Sequence, residues 1–212
     1  MKTRIEVRRG SLTDPEADCD VLVNASNTLL QLGTGVSGAI RAACGPSFQA
    51  ELAKQLESRN PPHLQPGEVV VTNAGTHPRA RFVAHVAVMD YTPGSKNPRS
   101  PTLDRVRDGS TALWKALEAI DAPSLAVAMV VLGAGVGGLG LRSSAEATCR
   151  TLQDHIEKNP TSRISRVVFH GYQPIEFANL FDTVAKIFPV SDDTVPADLL
   201  PYVQAIRKGE FS

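Results

Sequence analysis

Asp20-Val-Leu-Val-Asn-Ala-Ser-Asn27, followed eight residues later by Val36-Ser-Gly-Ala-Ile40 at the end of a Gly33-Thr-Gly-Val-Ser-Gly38 loop, decides how this chain is read. An apolar strand runs into a glycine-rich turn and the turn runs into a helix. The same arrangement returns in Ser124-Leu-Ala-Val-Ala-Met-Val-Val-Leu132, followed by Gly133-Ala-Gly-Val-Gly-Gly-Leu139. Glycine admits positive φ and lets a ligand approach main-chain N–H groups. Those groups, with the helix N-terminus behind them, favour anions and phosphate above all. Two such loops suggest a clamp that grips a diphosphate from both sides.

Outward from these loops, strands and helices alternate. Strands are predicted at Arg4–Arg8, Val21–Val23, Glu68–Thr72, Phe82–Met89, Leu125–Leu132 and Ile164–Phe169. Helical spacing covers Val36–Ser58, broken near Gly45-Pro46, because proline disfavours helix at the residue before it. Further helices are predicted at Leu103–Ile120, from Ser143 or Ser144 as cap to Lys158, and at Ile175–Phe188. The unbroken apolar run at 125–132 marks a central strand covered on both faces. The expected fold is therefore α/β, with helices on both faces of the sheet. Ligands in such folds sit beyond the carboxyl ends of the strands, where both loops fall. Residues 1–188 form the expected domain. The proline-containing tail, 189–212, reads as an extension packing on it.

Composition narrows the function. The 212 residues are 42% hydrophobic, with 22 basic and 22 acidic side chains. A net charge of zero argues against nucleic acid held by bulk charge. The three cysteines, Cys19, Cys44 and Cys149, form neither a metal-type pair nor an even disulfide set. They point to a reducing, cytoplasmic setting and to small buried side chains. No signal peptide and no membrane span is expected. The histidines have no metal-site spacing, so neither a metal nor a cofactor is expected. His85 is expected in the core and His170 at the ligand edge. His77, His63 and His155 are expected to face solvent.

The pattern Asn24-Ala-Ser-Asn27, then Val36-Ser-Gly-Ala-Ile40, resembles the signature of the macro domain family. Pro66-Gly-Glu-Val-Val-Val-Thr72 and Arg81-Phe-Val-Ala-His-Val86 are similar to the family's middle strands, and Leu132–Leu139 to its second phosphate loop. The likeness runs over about residues 3 to 188. It implies a three-layer αβα fold with a mixed, mainly parallel six-stranded sheet. It also implies binding of ADP-ribose or a derivative, free or protein-linked.

Position by position, the resemblance makes Asn27 the asparagine that reaches the distal ribose. Its carboxamide can both donate and accept. Asn24 starts the same turn, as a ligand contact or as a structural cap. Gly33, Thr34, Gly35 and Val36 match the first loop. Gly133, Ala134, Gly135, Val136, Gly137 and Gly138 match the second. The first loop could instead be a plain tight turn, and the second no more than close helix–strand packing.

The chain departs from the family at three places. Ser11 stands where an acid usually reads the adenine amino group. A neutral hydroxyl acceptor is roughly half as strong as a charged one. Glu16, Asp18 or Asp20 could replace the acid only if the loop folds back. Ser37 stands where the hydrolase branch has an aspartate, and a hydroxyl without a partner is a poor base. Gly137 replaces the aromatic residue of the second loop. Tyr172 is the favoured substitute, ahead of Tyr91 and Phe177.

Binding alone is thus the first reading. A hydrolase acting on ADP-ribose derivatives through other groups, such as Asp90, Lys96 or substrate-activated water, is the second. A dinucleotide dehydrogenase is disfavoured. Gly133–Gly138 fits its glycine pattern, but the next strand ends at Phe169-His170-Gly171 without the acid that would hold the ribose.

Overall fold

A computed structural model describes residues 3–14, 18–135 and 138–210. Six strands form one sheet in the order β1-β6-β5-β2-β4-β3. They are β1 (Arg4–Arg9), β2 (Val21–Asn27), β3 (Val69–Asn73), β4 (Phe82–Met89), β5 (Leu125–Met129) and β6 (Ile164–Gly171). All pairings are parallel except that of β3, which runs antiparallel along β4. Six helices cover the sheet: α1 (Gly35–Cys44), α2 (Phe48–Glu57), α3 (Leu103–Glu118), α4 (Leu141–Lys158), α5 (Pro174–Ala185) and α6 (Leu200–Lys208).

Side chains alternate across a strand, so an apolar run must be covered twice. Val21 and Val23 enter the core shared with α3, α4 and α5, whereas Leu22 between them enters the core shared with α1 and α2. Val127 and Met129 face the first core and Ala128 the second. This is the three-layer arrangement that the two-faced apolar strands require. Trp114 of α3 is fully buried and donates from Nε1 to Thr151 Oγ1 of α4 at 3.1 Å. In the C-terminal segment, Val195, Leu199, Val203 and Ile206 are buried in that same core, and α6 packs on α5.

Some expected bounds shift: β5 stops at Met129 rather than Leu132, and α5 at Ala185 rather than Phe188. Neither Ser143 nor Ser144 caps α4, which begins at Leu141 behind Gly140. The chain leaves the glycine loop already in helical register, and Ser144 lies inside the first turns, fully buried. Helix α5 starts at Pro174 rather than Ile175. Gln173 and Glu176 there form a reciprocal capping box, each side chain accepting from the other's backbone N–H.

Candidate functional site

The carboxyl ends of β1, β2, β4, β5 and β6 open onto one cavity of about 610 Å³. Its middle is apolar, with Ala25, Met89, Val131 and Leu180 among the lining residues. Both glycine loops border it. Thr34, Gly35, Val36 and Ser37 form one, and Gly133, Ala134 and Gly135 the other. Ser11, Leu12, His170 and Tyr172 close one end. A larger hollow, about 770 Å³, runs along β1 and residues 187–191 and holds none of the residues singled out from the sequence.

The first loop is built to leave donors unused. Helix α1 begins behind Thr34, which makes no side-chain capping bond, and its first turn has no acidic residue. The first amides of a helix have no intrahelical partner. Those of Gly35, Val36 and Ser37 therefore stand as donors beside the cavity, at the positive end of the helix dipole. Gly35 sits at φ +61, a conformation that other residues enter at a cost.

Asn27 and Gln49 hold the loop rigid. Asn27 donates from Nδ2 to the Gln31 carbonyl at 2.8 Å, and its Oδ1 accepts from the Leu29 and Gln31 amides at 3.0 and 3.2 Å. Gln49 of α2 donates to the Leu30 carbonyl and accepts from the Leu32 amide. Asn27 is 4% exposed and is not among the residues that border the cavity. Most of the hydrogen-bonding capacity expected to reach a ligand is spent inside its own loop. Asn24 is fully buried and bonded to Ser37 and His85. Gly33 and Gly138 flank the loops without bordering the cavity.

In the second loop, Gly133 takes φ +79, and a Cβ built there would come within 3.1 Å of Pro101. Gly135 is exposed, and among the described residues nothing stands within 4 Å of a Cβ built on it. Val136 and Gly137 lie outside the described residues, as does Glu16.

At the closed end, Ser11 Oγ lies 2.8 Å from Thr13 Oγ1 and accepts from the Thr13 amide at 3.2 Å. The two acids offered as substitutes lie elsewhere. Asp20 pairs with Arg81 and accepts from the Ala126 amide, before the start of β2, and Asp18 pairs with Arg166. Tyr172 is 66% exposed on the rim, whereas Phe177 is core and Tyr91 stacks under Arg99. Of the three aromatic candidates, only Tyr172 borders the cavity.

His170 is the main polar group that closes this end from β6. It is 7% exposed, and its Nδ1 has no hydrogen-bond partner among the described residues. Burial pushes its imidazole down to about 4, against the opposing pull of a hydrogen bond with the Gly10 backbone.

The other titratable candidates are structural. Asp90 is 1% exposed and does not border the cavity. It accepts from Ser95 Oγ, Asn97 Nδ2 and the Thr92 amide, folding the loop after β4. Burial alone would raise its pKa, but these bonds outweigh it and hold the carboxyl well below the usual range. Lys96 is exposed on that loop. His77, expected at the surface, is buried and accepts from the Arg79 and Ala80 amides. His155 is likewise shielded and bonds to Glu118. Among the described residues, no group of three or more His, Cys, Asp or Glu could hold a metal ion, and no helix is long and apolar enough to cross a membrane.

Comparison with known proteins meets this geometry. The family model described as "Macro domain" matches residues 23–148, more than half the chain. The chain is 32% identical over 178 residues to a Cronobacter turicensis protein named O-acetyl-ADP-ribose deacetylase, covering 84% of this chain and 93% of the relative. It is 30% identical over 166 residues to an uncharacterized Thermoplasma acidophilum protein, covering 78% and 80%. Among solved structures, the fold resembles an Oceanobacillus iheyensis macrodomain with ADP (TM-score 0.72, 20% identity, covering 86% of this chain and 90% of that one). It also resembles a Trypanosoma brucei macrodomain in complex with ADP-ribose (TM-score 0.67, 25% identity, covering 84% and 67%).

Proposed function

The chain belongs to the macro domain family, and from that premise we propose that its 610 Å³ cavity binds ADP-ribose or a derivative, free or linked to protein. The carrying observation is the row of uncapped amides at Gly35, Val36 and Ser37, on the same largely apolar cavity that Gly133, Ala134 and Gly135 border. Amides and a helix dipole favour a diphosphate. The floor favours the faces of a base and a sugar. The Ser11 and Tyr172 end takes the adenine, with Tyr172 as the exposed ring that can lie on it. Ser11 stands there in place of the family's acid, while Glu176, which also borders the cavity, accepts from the Tyr172 and Gln173 amides.

The binding unit in this reading is residues 1–188, with 189–212 as an extension fastened through α6. Three buried thiols support a reducing, cytoplasmic setting. Burial holds all three protonated, Cys149 up to about 12.

Calorimetric titration with ADP-ribose tests the reading. The expected affinity is micromolar or somewhat weaker, about −8 kcal/mol at one micromolar. Absence of heat and of any thermal shift at millimolar ligand rejects it.

A second reading, hydrolysis of an ADP-ribose derivative, is favoured by the name of the Cronobacter relative. Ser37 stands where an aspartate would orient water, and general-base assistance is worth about 10²–10⁴ in rate. Turnover is therefore expected to be slow, and Ser37→Asp to raise it. Deacetylation of O-acetyl-ADP-ribose at about one per second or faster by the unaltered chain would make binding alone the wrong description.

A further inference from the structure

We infer that the Ser37 hydroxyl meets its ligand with lone pairs only, held so by a one-way hydrogen-bond chain through Asn24, His85 and Thr72, and that this hydroxyl, beside the anion-binding amides of the loop, selects a hydroxyl or a water over a phosphate or carboxylate oxygen. The inference rests on the ADP-ribose reading above and specifies which end group of such a ligand the site accepts.

The chain is fixed from its far end. Thr72 has a single hydroxyl proton and donates it to the Asn73 carbonyl at 2.9 Å. Its oxygen can then only accept from His85 Nε2, 3.4 Å away. The proton of a neutral imidazole therefore sits on Nε2, and Nδ1 is an acceptor. Asn24 Nδ2 lies 3.2 Å from that Nδ1 and donates to it. The amide orientation of Asn24 follows, with Oδ1 turned toward α1. Ser37 Oγ donates its one proton to that Oδ1 at 2.9 Å. Both lone pairs of Ser37 Oγ remain for the cavity that Ser37 borders.

Burial holds the middle of the relay. Asn24 and His85 are both fully buried, and Phe48 stacks on the His85 ring with centroids 5.9 Å apart. Burial also pushes the His85 imidazole down to about 3, so it stays neutral at ordinary pH. Reversing the direction would require Thr72 to abandon the Asn73 carbonyl and every later group to turn with it.

An acceptor-only serine does part of what a carboxylate does at this place. It takes a hydrogen bond from a ribose hydroxyl or a water, but carries no charge and takes no proton away. A phosphate oxygen there meets lone pair against lone pair. Asn24 and His85 act through Ser37 and are positioning residues.

Two measurements on the full-length protein test this. The first is nitrogen NMR of the His85 ring, which should show the Nε2–H tautomer across pH 6 to 8; the Nδ1–H tautomer overturns the inference. The second compares ADP-ribose with ADP, which lacks the terminal ribose. Ser37→Ala should lower the ratio of the two affinities about five- to tenfold, the worth of one net hydrogen bond. Ser37→Thr, which keeps the hydroxyl, should restore most of it. An unchanged ratio, with both ligands still bound, overturns the inference and leaves the binding reading standing. Failure of the unaltered protein to bind either ligand overturns the binding reading itself, while the tautomer measurement still reports on the relay.

Discussion

Among the helices that start at the rim of this cavity, α1 and α5 treat their free amides in opposite ways. At α5, Glu176 accepts from the Tyr172 and Gln173 amides, and the Gln173 side chain completes the capping box. At α1, Thr34 makes no capping bond and the first turn has no acid. A capping residue stabilises a helix by about 1 kcal/mol. Helix α1 forgoes that gain at the one place where its amides face the open glycine loop. The α5 end is built for stability, and the α1 end for an anion that arrives from solution.

The sharpest way to break this contrast is to put an anion where the ligand's should go. Gly135→Glu has room for its side chain, since nothing described stands within 4 Å of the new Cβ. The protein should fold with an unchanged circular dichroism spectrum and lose at least about a hundredfold in ADP-ribose affinity, or about 2.7 kcal/mol. A folded mutant that binds at wild-type strength would reduce the second loop to a turn.

The stability side should carry a pH dependence. His85 and His170 are buried neutral, pushed from 6.5 down to about 3 and about 4. The unfolded chain binds their protons between pH 6.5 and about 4 and the folded chain does not. Stability is therefore full above 6.5 and falls as pH drops, by about 1.4 kcal/mol per pH unit for each histidine. Urea denaturation at pH 7 and pH 5 measures it, and His170→Asn should remove about half the slope.

Giving α1 the cap that it lacks sharpens the comparison. Thr34→Asp should raise the melting temperature by the worth of an N-cap and its dipole contact, about 0.5–1 kcal/mol. Its carboxylate would occupy the same amides, so affinity should fall about tenfold, or about 1.4 kcal/mol. The opposite edit at α5 has the smallest effect. Glu176→Ala should cost about 1 kcal/mol of stability, read by thermal melting, with affinity changed less than threefold.

Much of this was legible in the chain, for reasons that differ by region. Apolar strand runs and two strand–glycine–helix junctions depend on local sequence. They gave the sheet, the layers and the position of the cleft. The Gly-x-Gly loops marked its walls because φ +61 at residue 35 and +79 at residue 133 favour glycine. What stayed hidden depends on distant partners. Nothing near Asn27 announces that its carboxamide closes on its own loop, or that Gln49, a helix away, clamps Leu30 and Leu32. His77 reads as a surface residue because Thr76-His77-Pro78 looks like a turn, yet two amides fold back onto its ring. The α5 cap escaped notice because glutamine stands where serine or threonine usually signals a capping box. Leu12 and Leu180 border the cavity with no local signal at all.

Backbone amide NMR during an ADP-ribose titration asks whether the uncapped amides of α1 receive the ligand's anion. If they do, the Gly35, Val36, Ser37 and Gly135 amides shift together and saturate at one micromolar-range affinity, while the α6 amides stay still. Saturable binding that leaves the Gly35, Val36 and Ser37 amides unmoved would contradict that role.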